Sequence, residues 1–235
     1  QMQGDTSSAR TSWETCAQLD PTGYYSERAK LILTEQQPLS ASHSFDLGYD
    51  LARERLEAVN WMINTFNLPP ETDLSSPGNL SADPHFQHAS EFFKLGLYSE
   101  ASREMNFMVT TYENDPVALF QLMDALLDFG LFRSAITTSR QVLDLAKLDD
   151  AGTLKAPVYF NHIRFGTYFR EEVLQAAQNE NIHPFVLFSV LRQESLFEGF
   201  VQSSAGARGV MQIMPATGQE IVSNMGWPPN FKNDD

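Results

Sequence analysis

A single cysteine, Cys16, stands among 235 residues, so no disulfide can close within the chain and no cysteine cluster can hold a metal. It leaves the redox compartment open and reads as structural or incidental. Histidine is scarce too, five in all. His162 and His183 have neither a second ligand at helical spacing nor a cysteine partner, and no metal or other cofactor is expected. Basic residues are outnumbered, 16 Lys and Arg against 30 Asp and Glu, for a formal net charge of -14 and a pI near 4.7. That balance excludes nucleic acid and anionic membrane surfaces as partners, since both select basic patches. No run approaches the ~20 apolar residues of a spanning helix, so no membrane span is expected. The start Gln1-Met2-Gln3 lacks a charged-then-apolar export pattern, and any export signal is expected to be removed or to lie upstream.

What remains is ample for a core: 42% of the residues are hydrophobic. The periodicity is helical throughout, and an all-α chain is expected. Residues 1–44 read as a polar lead with short helices near Trp13–Leu19 and Ser26–Thr34. From Phe45 to Phe66 the apolar positions Leu47, Leu51, Leu56, Val59, Met62 and Ile63 recur at helical spacing, and Leu68-Pro69-Pro70 stops the helix. Residues 71–83, rich in Pro, Ser, Gly and Asn, read as a loop.

Between 84 and 148 the chain repeats itself. Leu95-Gly96-Leu97-Tyr98-Ser99-Glu100-Ala101 returns 34 positions later as Phe129-Gly130-Leu131-Phe132-Arg133-Ser134-Ala135, and Phe86-Gln87 returns as Phe120-Gln121. The offset is similar to the tetratricopeptide period, and two antiparallel helical pairs are expected, with Gly96 and Gly130 ending the first helix of each. Asp149-Asp150-Ala151-Gly152 breaks the pattern, which divides the chain into a lead (1–44), a helical repeat (45–150) and a third unit (151–235). The aromatic stretch Val158–Tyr168 is expected to dock the repeats onto the rest of the third unit, with further helices over Phe169–Asn181, Pro184–Ser195 and Pro215–Met225.

The chemistry gathers after Pro184. Phe185-Val186-Leu187-Phe188-Ser189-Val190-Leu191 is apolar on too many sides for a surface helix and leads to Glu194 at its end. Either this carboxylate sits against apolar walls, which disfavour its charged form and suit it to act as an acid, or it simply meets solvent where the helix runs out. The small-residue run Ser203–Gly209 allows close backbone approach, and Val210-Met211-Gln212-Ile213-Met214 adds soft apolar walls and one amide. No Asp or Glu lies between Glu198 and Glu220, and Glu198 reads as solvated.

Glu194-Ser195, then Ser203-x-x-Gly206-Ala207, then Gly209-Val210-Met211-Gln212-Ile213-Met214-Pro215-Ala216-Thr217 resembles the signature of the lytic transglycosylases, most closely the large soluble periplasmic ones. The resemblance implies a tetratricopeptide-like α-solenoid followed by the N-terminal part of a lysozyme-like domain. It implies cleavage of the β-1,4 bond between N-acetylmuramic acid and N-acetylglucosamine in peptidoglycan, with a 1,6-anhydro product. Glu194 would be the sole catalytic acid and base, and Ser195 its support from the helix end. Ser203 would touch the N-acetyl group, and Met211, Gln212 and Met214 would line the glycan groove. Peptidoglycan strands are the implied partner, with the repeat surface open to a protein, and the periplasm or cell envelope the implied location. A goose-type lysozyme hydrolysing the same bond, or a non-catalytic helical-repeat scaffold, are the alternatives. Gly199 stands where the family usually has Pro, which loosens the turn. The family's Ala-Tyr-Asn-Ala-Gly segment is not found before Asp235, so the domain is expected to be incomplete and this chain weakly active or inactive.

Overall fold

The computed structural model describes residues 5–36, 47–75 and 77–226. Among them the fold is all-α, with two isolated antiparallel bridges near residue 208 and no strand. The lead forms a helical pair, α1 (Thr6–Leu19) and α2 (Tyr24–Leu33). Helix α1 starts seven residues earlier than its apolar pattern suggests, because the Asp5 carboxylate accepts the Ser8 amide and caps it. Helix α3 (Leu51–Phe66) is capped by Asp50, and Asn67 closes it in the left-handed conformation. The start expected at Phe45 lies outside the described residues. Inside the expected loop a short 3-10 helix forms at Gly78–Ala82.

The repeats are helices α4 (Pro84–Lys94), α5 (Tyr98–Thr111), α6 (Pro116–Asp128) and α7 (Phe132–Leu145). Their two turns are superposable in chemistry. Gly96 (φ 74°) donates to Phe93 and Leu97 to Phe92; Gly130 (φ 63°) donates to Leu127 and Leu131 to Leu126. Both are complete Schellman closures, and in each the residue after the left-handed glycine is the N-cap of the next helix. A side chain would strain either turn, since both glycines hold positive φ.

Helix α6 lies at the centre, with Leu119, Phe120, Leu122, Met123 and Leu126 fully buried. Around it pack Met62 of α3, Met105 of α5, Leu143 of α7 and Tyr159, Phe160 and Ile163 of α8 (Val158–Arg164). The first residues of the expected third unit are therefore packed into the repeat core. A second cluster joins Ile136, on another face of α7, to Leu47 and to Val173, Phe188, Leu191 and Phe197. Helix α7 thus serves both cores, and the residues around the candidate site rest on it. Helices α9 (Arg170–Asn179), α10 (Pro184–Ser195) and α11 (Pro215–Met225) complete the order.

Three long-range bonds tie the segment around α3 to the stretch from α8 to the first residue of α9. The Tyr49 hydroxyl accepts the Thr167 amide at 3.0 Å, Arg170 Nη1 donates to the Leu47 carbonyl at 3.2 Å, and His162 Nδ1 meets the buried Glu54 carboxylate at 2.7 Å. Tyr49 stacks on His162 with centroids 4.5 Å apart. His162, isolated in the sequence, has its partner 108 residues away. No helix among the described residues is long and apolar enough to cross a membrane.

Candidate active site

Helix α10 starts on His183, whose Nδ1 accepts the Phe185 amide, with Pro184 in its first turn. It is less enclosed than its composition suggests. Pro184, Phe188, Leu191 and Ser195 form one buried stripe, while Phe185 is 38% exposed and Val186, Leu187 and Val190 are only partly covered. Its second half is anchored by Arg192, which donates from Nε to the Arg164 carbonyl at 2.9 Å and lies over the Phe165 ring.

Glu194 stands one residue before the helix end and is exposed. Of the two readings open in the sequence, the structure places its carboxylate at the solvent rather than against apolar walls. Ser195, its neighbour, faces inward and is 1% exposed. Its hydroxyl lies 2.8 Å from the Val210 carbonyl and 3.2 Å from the Leu191 carbonyl. So Ser195 is closed to direct sugar contact and instead pins the segment carrying Met211 to the end of the helix carrying Glu194.

After Ser195 the backbone turns through two left-handed residues, Leu196 (φ 51°) and Phe197 (φ 64°). Neither is glycine, so each costs about 1–2 kcal/mol, and such strain persists only where surrounding contacts over-determine the turn. Phe197 supplies one such contact. It is 1% exposed and meets Tyr168 edge-on at 5.2 Å.

Glu198 supplies another, and here the expectation of a solvated carboxylate is overturned. It is 5% exposed and accepts from Arg133 Nη1 of α7 at 3.3 Å. Burial pushes its carboxyl upward, and Arg133, then Ser102, act in the opposite direction. A folded-state value raised above the unfolded one means the protonated form is preferred on folding. The stability lost through Glu198 therefore grows as pH rises from the unfolded range near 4.5, and is complete above the folded value. Glu198→Gln, with no proton to lose, should gain stability relative to the parent between pH 4 and pH 7. Urea unfolding at both pH values checks this, and a variant that loses ground at pH 7 would refute it.

Residues 201–213 fold back on themselves. Ser203 N donates to the Ala207 carbonyl at 2.9 Å, and Ser203 Oγ accepts the Ala207 amide at 3.0 Å. Arg208 and Ile213 exchange both backbone bonds at 3.0 Å, and Gly209 N donates to the Val201 carbonyl at 3.1 Å. The half-buried Gln212, left-handed at φ 49°, donates its amide to the Gly209 and Val201 carbonyls at 2.9 and 3.3 Å. The expected groove residues therefore divide. Met211 and Met214 are 38% and 42% exposed and form an apolar surface with Ile213, whereas Gln212 and Ser203 are engaged in holding the wall's shape.

The model for the transglycosylase SLT domain family matches residues 171–234. A Haemophilus influenzae protein named as a soluble lytic murein transglycosylase is 33% identical over 101 residues, which are 43% of this chain and 17% of that protein. Among solved structures, an inactive mutant of lytic transglycosylase Slt from Pseudomonas aeruginosa superposes over 89% of this chain and 32% of its own, with TM-score 0.54 and 22% identity. The 70 kDa soluble lytic transglycosylase of Escherichia coli does so over 99% and 30%, with TM-score 0.60 and 18% identity. The 70 kDa soluble lytic transglycosylase in complex with bulgecin A gives 98% and 30%, TM-score 0.58 and 17% identity. At these identities the structures speak for the fold, and the chain spans a third or less of each relative. Signature, family match and curated relative agree on one part of the chain: residues 171–234 are similar to the transglycosylase SLT domain.

Proposed function

We propose that the chain is the catalytic part of a peptidoglycan lytic transglycosylase, together with helical repeats over 45–150 and a lysozyme-like unit over 151–235. The observation that carries this reading is the link between Ser195 and Val210, which sets an exposed carboxylate, Glu194, beside an exposed methionine-lined wall. Glu194 would protonate the oxygen of the β-1,4 bond as the bond to C1 breaks. The substrate's acetamido oxygen would close on C1, and Glu194 would then take the proton of the 6-hydroxyl as that oxygen displaces it, leaving 1,6-anhydro-muramic acid. A second protein carboxylate is not needed in this scheme, in contrast to two-carboxylate glycosidases. Glu198 is buried and held by Arg133, which leaves Glu194 as the exposed carboxylate at the end of α10. Because Glu194 is open to solvent, the glycan laid across it would be the surface that excludes water during proton transfer. Met211, Met214 and Ile213 would pack against the sugar faces, and Ser195, Ser203 and Gln212 would keep that wall in shape. The site of action would be the cell envelope, where the polymer lies, and the repeat surface would be available to a protein partner.

Mass spectrometry of digested peptidoglycan tests the reaction type. Anhydro-muramyl ends, one water lighter than reducing ends, are expected as the main product. Reducing ends would move the protein to the lysozyme-like hydrolase, and no release at all by the full-length protein would favour the non-catalytic scaffold.

A further inference from the structure

Residues 98 and 132 occupy equivalent places at the starts of α5 and α7, 34 positions apart; the Tyr98 ring meets the loop after Glu194 directly and the Phe132 ring reaches it through Tyr168. Tyr98 stacks on Phe200, with centroids 6.2 Å apart and planes 21° off parallel. Phe132 stacks on Tyr168 at 4.1 Å, and Tyr168 in turn meets Phe197. Next to Phe132, Arg133 holds Glu198. Between these contacts the two helices are joined by side chains, with Ser134 Oγ donating to Asn106 Oδ1 at 2.8 Å and Asn106 Nδ2 donating to Ser102 Oγ at 3.1 Å. A cavity of about 410 Å³ lies over this network, bordered by Ser102, Asn106, Arg133, Glu198 and Gln202. So the loop 197–202 crosses polar, half-open ground between two apolar anchors, Phe197 in the second cluster and Phe200 against the first.

We propose that the helix starts of the two repeats form a seat for the catalytic loop, and that Arg133 is a positioning residue acting through Glu198 on the wall beside Glu194. The route is short. Glu198 leads in three residues to Val201, whose carbonyl accepts both the Gly209 amide and the Gln212 side chain. Val210, between those two, is the residue that Ser195 pins to α10. Moving residue 198 therefore shifts residues 201, 209 and 212, and alters the placement of the wall relative to Glu194. The repeat thereby acquires a use beyond presenting a concave surface: its turns, alike in backbone, are unlike at 99 and 133, and the arginine is found at the turn that Glu198 faces.

The role of this seat in catalysis rests on the transglycosylase reading, so the test has one readout free of activity. In the full chain, Arg133→Ala should speed amide hydrogen exchange at least 10-fold across 199–213, while the buried amides of α6 and α7 keep their parent rates. Arg133→Lys should restore most of the protection. Tyr98→Ala, at a residue 45% exposed and outside both buried clusters, should loosen the Phe200 end in the same way and guards against a folding defect in the arginine variant. Unchanged exchange over 199–213 in Arg133→Ala overturns the proposal. Where the parent cleaves peptidoglycan, Arg133→Ala should lower kcat about 10-fold or more with a smaller change in KM, since misplacing a reacting group costs rate more than binding; an equal kcat would also overturn it. Faster exchange in Arg133→Ala, with no cleavage by the full-length protein, would refute the transglycosylase reading and leave the seat standing.

Discussion

On the proposed mechanism, Glu194→Gln in the full-length protein should lower glycan cleavage by about 10²- to 10⁴-fold, the usual loss when a general acid is removed. The side chain is exposed at the end of α10, and glutamine keeps its length and volume, so the melting temperature should stay at the parent value. Glutamine can still donate a hydrogen bond to the glycosidic oxygen, but it cannot release a proton to it or accept one from the 6-hydroxyl. Both halves of the reaction are therefore blocked by one substitution. Release of muropeptides from purified sacculi, measured beside circular dichroism, checks rate and fold together. A near-parent rate would show that another group supplies the proton, and Glu198→Gln is the comparison that would reveal whether the buried carboxylate does so.

Phe160→Ala has the largest expected effect on stability, about 3–5 kcal/mol. Its ring is fully buried and meets Trp61 at 5.1 Å, Tyr159 at 5.6 Å and Phe120 at 6.0 Å. The contacts reach α3 and α6 at once, so truncation empties a space bordered by three helices that cannot all collapse into it. Against a typical total of about 5–15 kcal/mol for a domain, that loss is large. The transition midpoint in urea should fall, and the repeats should unfold together with α8, because the core that runs through α3, α6 and α8 is continuous. If α8 came away first while α4 to α7 kept their midpoint, the repeat core would end before residue 158.

The helical pairs were legible because a 34-residue offset repeats glycine, flanking leucine and aromatic together, and only one kind of turn places them so. The end of α10 and the segment beside it were legible for a similar reason, since residue types and spacing agree over a continuous stretch. Glu198 was not. Its burial is caused by α7, 65 residues earlier, and nothing local distinguishes a carboxylate after a strained turn from one in water. Gln212 misled in another way. An amide among apolar residues suggests a ligand contact, yet the left-handed backbone at 212 turns it back onto Gly209 and Val201. Ser195 and His162 show the same limit, as their partners are Val210 and Glu54 and periodicity carries no record of such pairs.

The bonds that shape the site differ from those of the repeats in how far apart along the chain they reach, and this orders events during folding. Each repeat hairpin closes within one short turn, whereas Arg133 and Glu198 are 65 residues apart, Tyr49 and Thr167 are 118, and Arg170 and Leu47 are 123. Local contacts form early, and long loops close only once enough structure exists to offset their entropy. The hairpins therefore assemble first, and the loop behind Glu194 settles onto them last. A chain that is still folding can expose Glu194 without yet having the wall beside it, so on the proposed mechanism the ability to cut would arrive with the last contacts made rather than with the helix that bears the acid.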